Sequence, residues 1–584
     1  MDVNVYAINK VFVDNITLRI PFFQRGYVWQ ESNWEKFFDD IADIARTIKA
    51  GERPETYFLG SIITKSDDDD ELIIDVIDGQ QRLTTIVLFM KALYLAMGRA
   101  EKFVTGFMQD TDEVGEMKPI LQPNRNDRAV YNRIINLETL QQDPIVEGSL
   151  LADAFSYFAK RLKAAEAGVD DIPITPTQIN NAIARYVRLV QIEVQQGENA
   201  QKIFETINCA GVKLTTGEML KNFLYDEAHV VEYERTWKTV FEADKRAVKY
   251  WEGDILNGRM QGSQIENFFY RYMLVKMQEP EVKDKLSQNE KKSFRQYGGQ
   301  FEKFRNLITR CNIDKNTAAD EIVNYARLYM DTFKDDTLEE VTVSIPGLER
   351  LVSLMFIQGS WTTTPYILYI LRNVTDKNEQ NRIFNYMEVY LMRRIICKSK
   401  NNNYSDMFSE NLIGSGIKTF AEFKAYVNDE NERGALLMPS NEDVKKAVKE
   451  NNNKTSALAI LYMLESKLNP NFASSAHNNS YVAFTKEQIM PEKDNGSWPS
   501  ALGYSAEQRS CLVNTLGNFA IMREKLKPKA SKSAWDYKRE AMKIGLEDLE
   551  FYDIATRGLA NWDEKVIEKR NSHLADKILD AWPC

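Results

Sequence analysis

A chain of 584 residues is too long for one ordinary hydrophobic core, so about three domains are expected. Its 43% apolar and 11% aromatic content is that of a folded protein. No run approaches the roughly 18–20 apolar residues of a membrane helix, so no membrane partner is expected. A net charge of -10 argues against a surface that coats nucleic acid uniformly. The start Met1-Asp2-Val3-Asn4 lacks the basic-then-apolar pattern of a secretory signal. The cysteines Cys209, Cys311, Cys397, Cys511 and Cys584 lie far apart with no CxxC pair, so a reducing cytoplasm is expected.

The first region alternates strand and helix signals. Ile16 to Ile20 alternates apolar and polar residues and ends at Pro21, which reads as a short strand. A compact aromatic-polar loop follows, Phe22-Phe23-Gln24-Arg25-Gly26-Tyr27-Val28-Trp29. Ser32 and Glu35 form a capping-box pattern, and Trp34, Phe37, Phe38, Ile41, Ile44 and Ile48 recur at helical spacing until Gly51. Tyr57 to Ile63 is a buried-strand pattern, and the acidic run Asp67 to Glu71 reads as an exposed hairpin tip.

The pentapeptide Asp78-Gly79-Gln80-Gln81-Arg82 closes the apolar run Ile73 to Ile77 and opens the helix pattern Leu83 to Met90. Glycine at such a junction allows close approach of backbone to a ligand, and the new helix directs free N–H groups and its positive dipole end toward an anion. Arg82 adds a planar fork suited to phosphate. The same residues also describe a plain glycine turn whose arginine pairs with a neighbouring carboxylate.

Arg185 to Val194 reads as a further strand. Ile203 to Asn208, the turn Cys209-Ala210-Gly211 and Leu214 to Asn222 read as helix, turn and capped helix, with Thr215 or Thr216 as the cap and Glu218 in the first turn. Residues 230 to 450 are helical and aromatic-rich, with a long amphipathic run from Glu379 to Cys397. Asn401-Asn402-Asn403 and Asn451-Asn452-Asn453 are loop or linker candidates. The last region carries Phe484 to Pro491, Trp498, Asn514 to Met522 and a terminal helix between Trp562 and Trp582. Between Arg523 and Lys543, eight basic residues (Arg523, Lys525, Lys527, Lys529, Lys532, Lys538, Arg539 and Lys543) face three acidic ones, a local excess of five. Such a reversal of sign in an acidic chain suits phosphate contacts, as it also suits a solvated helix face.

Four segments taken together resemble the N-terminal domain of GmrSD-type restriction endonucleases, which restrict modified DNA (type IV). They are Gln24-Arg25-x-Tyr27-x-Trp29, Tyr57-Phe58-Leu59-Gly60-Ser61-Ile62, Asp78 to Thr85, and Phe204-Glu205-x-x-Asn208-x-x-Gly211-x-x-Leu214-Thr215 with Lys221-Asn222. Glu487-x-x-x-Pro491, Trp498, Leu516-Gly517-Asn518-Phe519 and Trp562-x-x-x-x-Ile567-x-x-Arg570 resemble the HNH-type domain that accompanies it. The resemblance implies a mostly helical α+β multidomain chain. Residues 1–230 would form a ParB/sulfiredoxin-like α/β domain, 231–453 a helical scaffold, and 454–584 an HNH (ββα-metal)-like domain. It implies bacterial anti-phage defence, with nucleoside triphosphate bound and hydrolysed in the first domain and foreign or modified DNA as the target. A homo-oligomer or a partner defence protein is a further expectation.

Carried over, the nucleotide site would comprise Gln24, Arg25, Asp78, Gly79, Gln80, Gln81, Arg82 and Thr84, with Asp78 and Arg82 catalytic. Tyr27 and Trp29 would stack on a base or belong to the core. The nuclease site would use Glu487, Gln488 and Asn518, with Glu487 and Asn518 holding magnesium or manganese. Arg523, Lys525, Lys527, Lys529, Lys532 and Lys538 would contact DNA.

One departure stands out. The family pattern His-x-x-Pro reads Gln488-Ile489-Met490-Pro491 here, and glutamine takes no proton near neutral pH. A register anchored on Trp535 and Lys538 also places lysines where relatives carry asparagines, and a lysine repels a metal ion. The chain has only His229, His477 and His573; His477, eleven positions before Gln488 and flanked by Asn478, Asn479 and Ser480, reads as a surface-loop residue. Two readings follow: an NTP-regulated nuclease, or an NTP-hydrolysing sensor whose C-terminal domain binds DNA or a partner without cutting.

Overall fold

The structure is a computed structural model. It describes the 584 residues except 1, 14, 22–23, 68–69, 71, 111–116, 141–145, 147, 170–171, 195–214, 226–228, 258–259, 335–346, 430–433, 470–471, 473–479, 494–496, 499–500, 524–533 and 544–558. The chain forms two compact units, Met1–Tyr233 and Glu234–Cys584.

In the first unit the described elements are β1 (Asp2–Ala7), β2 (Thr17–Arg19), α1 (Glu31–Lys49), β3 (Tyr57–Ser66), β4 (Ile73–Asp78), α2 (Gln80–Ala96), β5 (Leu121–Gln122), α3 (Leu150–Ala167), α4 (Pro176–Tyr186), β6 (Val187–Val194) and α5 (Thr216–Leu224), with shorter pieces between them. The strands form one mixed sheet in the order β1-β6-β3-β4-β2-β5. β3 and β4 are antiparallel neighbours, as the acidic hairpin pattern predicts, and β2 lies parallel to β4. Asp67 at the hairpin is half-buried and pairs with Arg19, so part of the acidic run closes an ion pair rather than facing solvent.

Helix α1 begins a turn-step earlier than its Ser32–Glu35 pattern predicts. Gln30 and Asn33 form the reciprocal cap instead, because an amide pair satisfies the same two N–H groups. Its aromatic face packs into a cluster with α2 and α3: Phe89 meets Phe37 at 5.3 Å and Phe158 at 5.2 Å between ring centroids, both edge-on. Helix α2 is buried nearly all round, so it runs through the core rather than over it. Arg185 and Tyr186 belong to α4, and the strand after it starts at Val187. Thr215 caps α5 in a capping box with Glu218.

The second unit is mostly helical, but it also contains the hairpin β7 (Asp254–Asn257) and β8 (Met260–Ser263), which the sequence pattern does not announce. Ser263 then caps α6 (Gln264–Lys276). There follow α7 (Leu348–Gln358), α8 (Thr364–Asn373), α9 (Lys377–Ile396), α10 (Asn441–Glu450), α11 (Ala457–Leu468), β9 (Phe484–Gln488), β10 (Phe519–Arg523), α12 (Trp535–Lys543) and α13 (Glu564–Ala581), among shorter helices. β9 and β10 form an antiparallel pair that packs on α11. The chain end is locked to the helical core. Glu388, buried on α9, accepts from Trp582 Nε1 at 2.8 Å and pairs with Arg350 at 3.0 Å. Burial by itself would raise the Glu388 pKa; Arg350 and Lys467 outweigh it and hold the carboxyl below its ordinary value. Asn453 is fully buried beside these elements, so the second asparagine run belongs to the body of this unit and does not link two bodies.

Candidate functional site

The junction from β4 to α2 is built around two glycines. Gly79 has φ +96°, and a Cβ placed there would fall 2.6 Å from Ile62 Cγ2. Gly60 in β3 has φ +120°, and a Cβ there would fall 3.0 Å from Arg82 Nε. The register of β3 shifts against β6 between Phe58 and Ser61, which marks a bulge at Gly60. The Arg82 guanidinium fills the space so created and donates to the Ser61 carbonyl, with Asp78 4.0 Å from its other nitrogen. Thus the Leu59-Gly60-Ser61-Ile62 and Asp78-to-Arg82 segments form a single constellation. The first turn of α2 receives no side-chain cap, so its leading amides have no partner from a capping side chain.

The loop Gln24–Trp29 is held onto this junction. Gln24 is buried, and its Nε2 donates to the Ile77 carbonyl at 2.6 Å. Gln81 grips the loop from α2, accepting from Val28 N at 2.9 Å and donating to the Gly26 carbonyl at 3.0 Å. Trp34 Nε1 donates to Tyr27 Oη at 2.8 Å, Tyr27 and Thr85 hydroxyls lie 2.7 Å apart, and Thr85 donates to the Gln81 carbonyl at 2.8 Å. Burial pushes the Tyr27 phenol well above its ordinary value. Tyr27 is therefore core, with no face for a base, and Trp29 is half-buried against the same core. Thr84 is likewise buried within α2. Arg25 is half-buried on the loop.

Sequence reasoning did not pick out Asn124 and Asp127. Asp127 accepts from Tyr27 N at 2.7 Å, and Asn124 donates to the Gln24 carbonyl at 3.2 Å. Burial raises the Asp127 pKa despite that hydrogen bond. The only signal was local: Asn124 Oδ1 accepts from Asp127 N, a side-chain turn pattern that many loops share.

At the other end of the chain, Glu487 is nearly buried in β9 and accepts from Lys538 Nζ at 2.6 Å. The same ammonium donates to the Gln488 carbonyl at 2.7 Å and lies 5.8 Å from the centre of the Trp498 ring. Gln488 donates to the Val513 carbonyl at 2.8 Å. Asn518 is fully buried; its oxygen accepts from Met490 N at 2.9 Å and Trp562 Nε1 at 3.1 Å, while its nitrogen donates to the Met490 and Val513 carbonyls, both at 2.8 Å. Gly517 is pinned the same way, since a Cβ would fall 2.6 Å from both Asn571 Oδ1 and the Ile567 carbonyl. Arg570 donates to the Gly517 and Phe519 carbonyls at 2.7 and 2.6 Å, and burial lowers its pKa to about 10.

The model for the N-terminal domain of the GmrSD restriction endonucleases matches residues 8–225. That for their C-terminal domain matches residues 438–577. The chain belongs to the GmrSD restriction endonuclease family. The GmrSD membership carries endonuclease action in restriction, with DNA as the substrate class. No curated protein matches the chain. No helix among the described residues is long and apolar enough to cross a membrane.

For this GmrSD protein the structure brings Gln24, Asp78, Gly79, Gln81 and Arg82 together, and separately brings Glu487, Gln488 and Lys538 together. The expected metal pair does not fit the donor set. Both lone-pair positions of the Asn518 oxygen are occupied by N–H groups, and Glu487 already holds an ammonium. No cluster of three or more His, Cys, Asp or Glu side chains suited to a metal exists among the described residues. Lys538 is also corrected as a DNA contact, because its side chain is 2% exposed and turned inward to Glu487. Lys525, Lys527, Lys529 and Lys532 lie outside the described residues, as do His477 and the segment from Ile203 to Leu214. Arg523 is described at the end of β10, its guanidinium 5.1 Å from the centre of the Phe484 ring.

Proposed function

We propose that the N-terminal unit binds and hydrolyses a nucleoside triphosphate at the β4–α2 junction, and that this event controls action on foreign or modified DNA by the C-terminal segment. The observation that carries the reading is the uncapped α2 N-terminus beside Gly79, flanked by Arg82 and the half-exposed Asp78. The amides of the first turn would take phosphate oxygens, since no side chain caps them. Arg82 would offer a fixed positive charge, and Asp78 would orient the attacking water or accept its proton. Gln24, Gln81 and Tyr27 would act at one remove, by fixing the loop that walls the junction.

A second reading, in which the C-terminal segment binds DNA or a partner without cutting it, is favoured by a specific observation. Glu487, Gln488 and Asn518 are each spent on internal partners. Loss of a general base by itself costs on the order of 10²–10⁴ in rate. The deciding experiment incubates the purified protein with NTPs, magnesium or manganese, and plain or modified DNA. Nicking that the isosteric Glu487→Gln abolishes, with the melting temperature kept, supports cleavage by this chain. NTP turnover over intact DNA supports the sensor reading, with cleavage left to a separate effector.

A further inference from the structure

A cavity of about 340 Å³ opens within the second unit, between α7, α8, α9 and the start of α11. Its charge pattern runs against the rest of this acidic chain. Arg394 and Lys398 line it, and no carboxylate does among the described residues. Arg394 is 2% exposed, and its three hydrogen bonds go to neutral oxygens: Tyr404 Oη at 2.7 Å, the Leu437 carbonyl at 3.0 Å and the Lys400 carbonyl at 2.6 Å. A buried cation with no carboxylate partner is costly unless something anionic comes near it.

Two helix N-termini converge on the same space. Thr363 is the N-cap of α8 and Ser456 the N-cap of α11; both residues line the cavity, and neither side chain caps its helix. The Thr363 hydroxyl is buried without a hydrogen-bond partner. The two negative helix ends that border it, those of α7 and α9, are already covered: the Met355 and Phe356 carbonyls accept from Ser360 and Gly359 N–H groups, both at 3.0 Å, and the Arg393, Arg394 and Ile395 carbonyls from Cys397, Ser399 and Lys398 N–H groups at 3.0, 2.9 and 3.1 Å. Two cations and two helix N-termini thus face two helix C-termini whose last carbonyls are already hydrogen-bonded, so the balance in the cavity is positive. The volume falls in the range of organic-ligand pockets, and Leu354, Leu391 and Ile395 supply an apolar floor that a bare inorganic ion would not need.

We propose that this cavity binds a nucleotide, its phosphate between the α8 and α11 N-termini near Lys398 and its base or sugar over the apolar floor. The site is separate from the β4–α2 junction and does not depend on the reading given to that junction. The nucleotide could come free or as one unit of a nucleic-acid strand, and the test separates these sources.

The experiment titrates full-length protein with deoxyadenosine monophosphate, with inorganic phosphate as competitor, and with a short single-stranded oligonucleotide. It is repeated on Thr455→Glu, which sets a carboxylate at the exposed mouth, and on Lys398→Gln. The expected result is binding that phosphate competes away and that each substitution weakens at least tenfold, with melting temperature unchanged. Weakening confined to the oligonucleotide assigns a nucleotide within a strand; weakening of the mononucleotide assigns a free one. Wild-type protein that binds none of the three probes, or binding that neither substitution alters, overturns the proposal.

Discussion

Lys538 and Glu487, 51 positions apart in the chain, form a buried ion pair at 2.6 Å. The pair places an ammonium where a metal-dependent nuclease would be expected to hold its ion. It also ties α12 to β9, so it fixes the C-terminal segment as well as occupying the carboxylate.

Breaking that pair from one side should be costly. Lys538→Met leaves the Glu487 carboxylate nearly buried and alone, which should destabilise the protein by about 3–5 kcal/mol. The double variant Lys538→Met with Glu487→Met should recover most of that loss, since neither charge then needs a partner. Denaturant unfolding of the single and double variants checks this. Additive losses would mean the two side chains are not coupled.

Gly79→Ala should destabilise the first unit by roughly 2–4 kcal/mol, from a left-handed backbone and a Cβ forced against Ile62. The effect should appear in unfolding curves before any ligand is added. An alanine variant of unchanged stability would show that the glycine serves ligand approach only.

Much of the fold was legible in the sequence because short-range chemistry dictated it. Strands β2, β3 and β4, the aromatic face of α1 and the Thr215–Glu218 cap all follow from periodicity and turn residues within a few positions. The roles within the motifs were less legible. Gln81 looks like part of a phosphate loop, yet it holds the Gly26–Val28 segment. Asn518 looks like a metal ligand, yet its four hydrogen bonds close a turn against Met490, Val513 and Trp562. Lys538 looks like part of a basic face, yet it is buried by a partner 51 residues away. In each case the deciding contact is long-range, and a single sequence does not encode which distant residue will arrive.

Lys91 on α2 offers a pH test of the first unit. It is 3% exposed, with its ammonium 4.8 Å from the centre of the Phe103 ring, and burial lowers its pKa to about 8. A lysine whose folded pKa lies below its unfolded value destabilises the fold while charged. Stability should therefore rise as pH increases from about 8 toward the unfolded value near 10.5. Lys91→Met should stabilise the protein by about 1–2 kcal/mol at pH 7, once partial solvation of the ammonium is allowed for, with the advantage shrinking across that window. A gain that does not change with pH would reject the assignment.

The central claim is that a triphosphate binds at the β4–α2 junction, and calorimetry with the four common ribonucleotides tests it most directly. At least one should give heat of binding to the wild-type protein. Asp78→Asn should keep that heat and lose about 10²–10⁴ in turnover. Arg82→Lys, which keeps the charge but not the fork, should weaken binding at least tenfold. The absence of heat with all four nucleotides, or binding and turnover unchanged in both variants, would contradict the account.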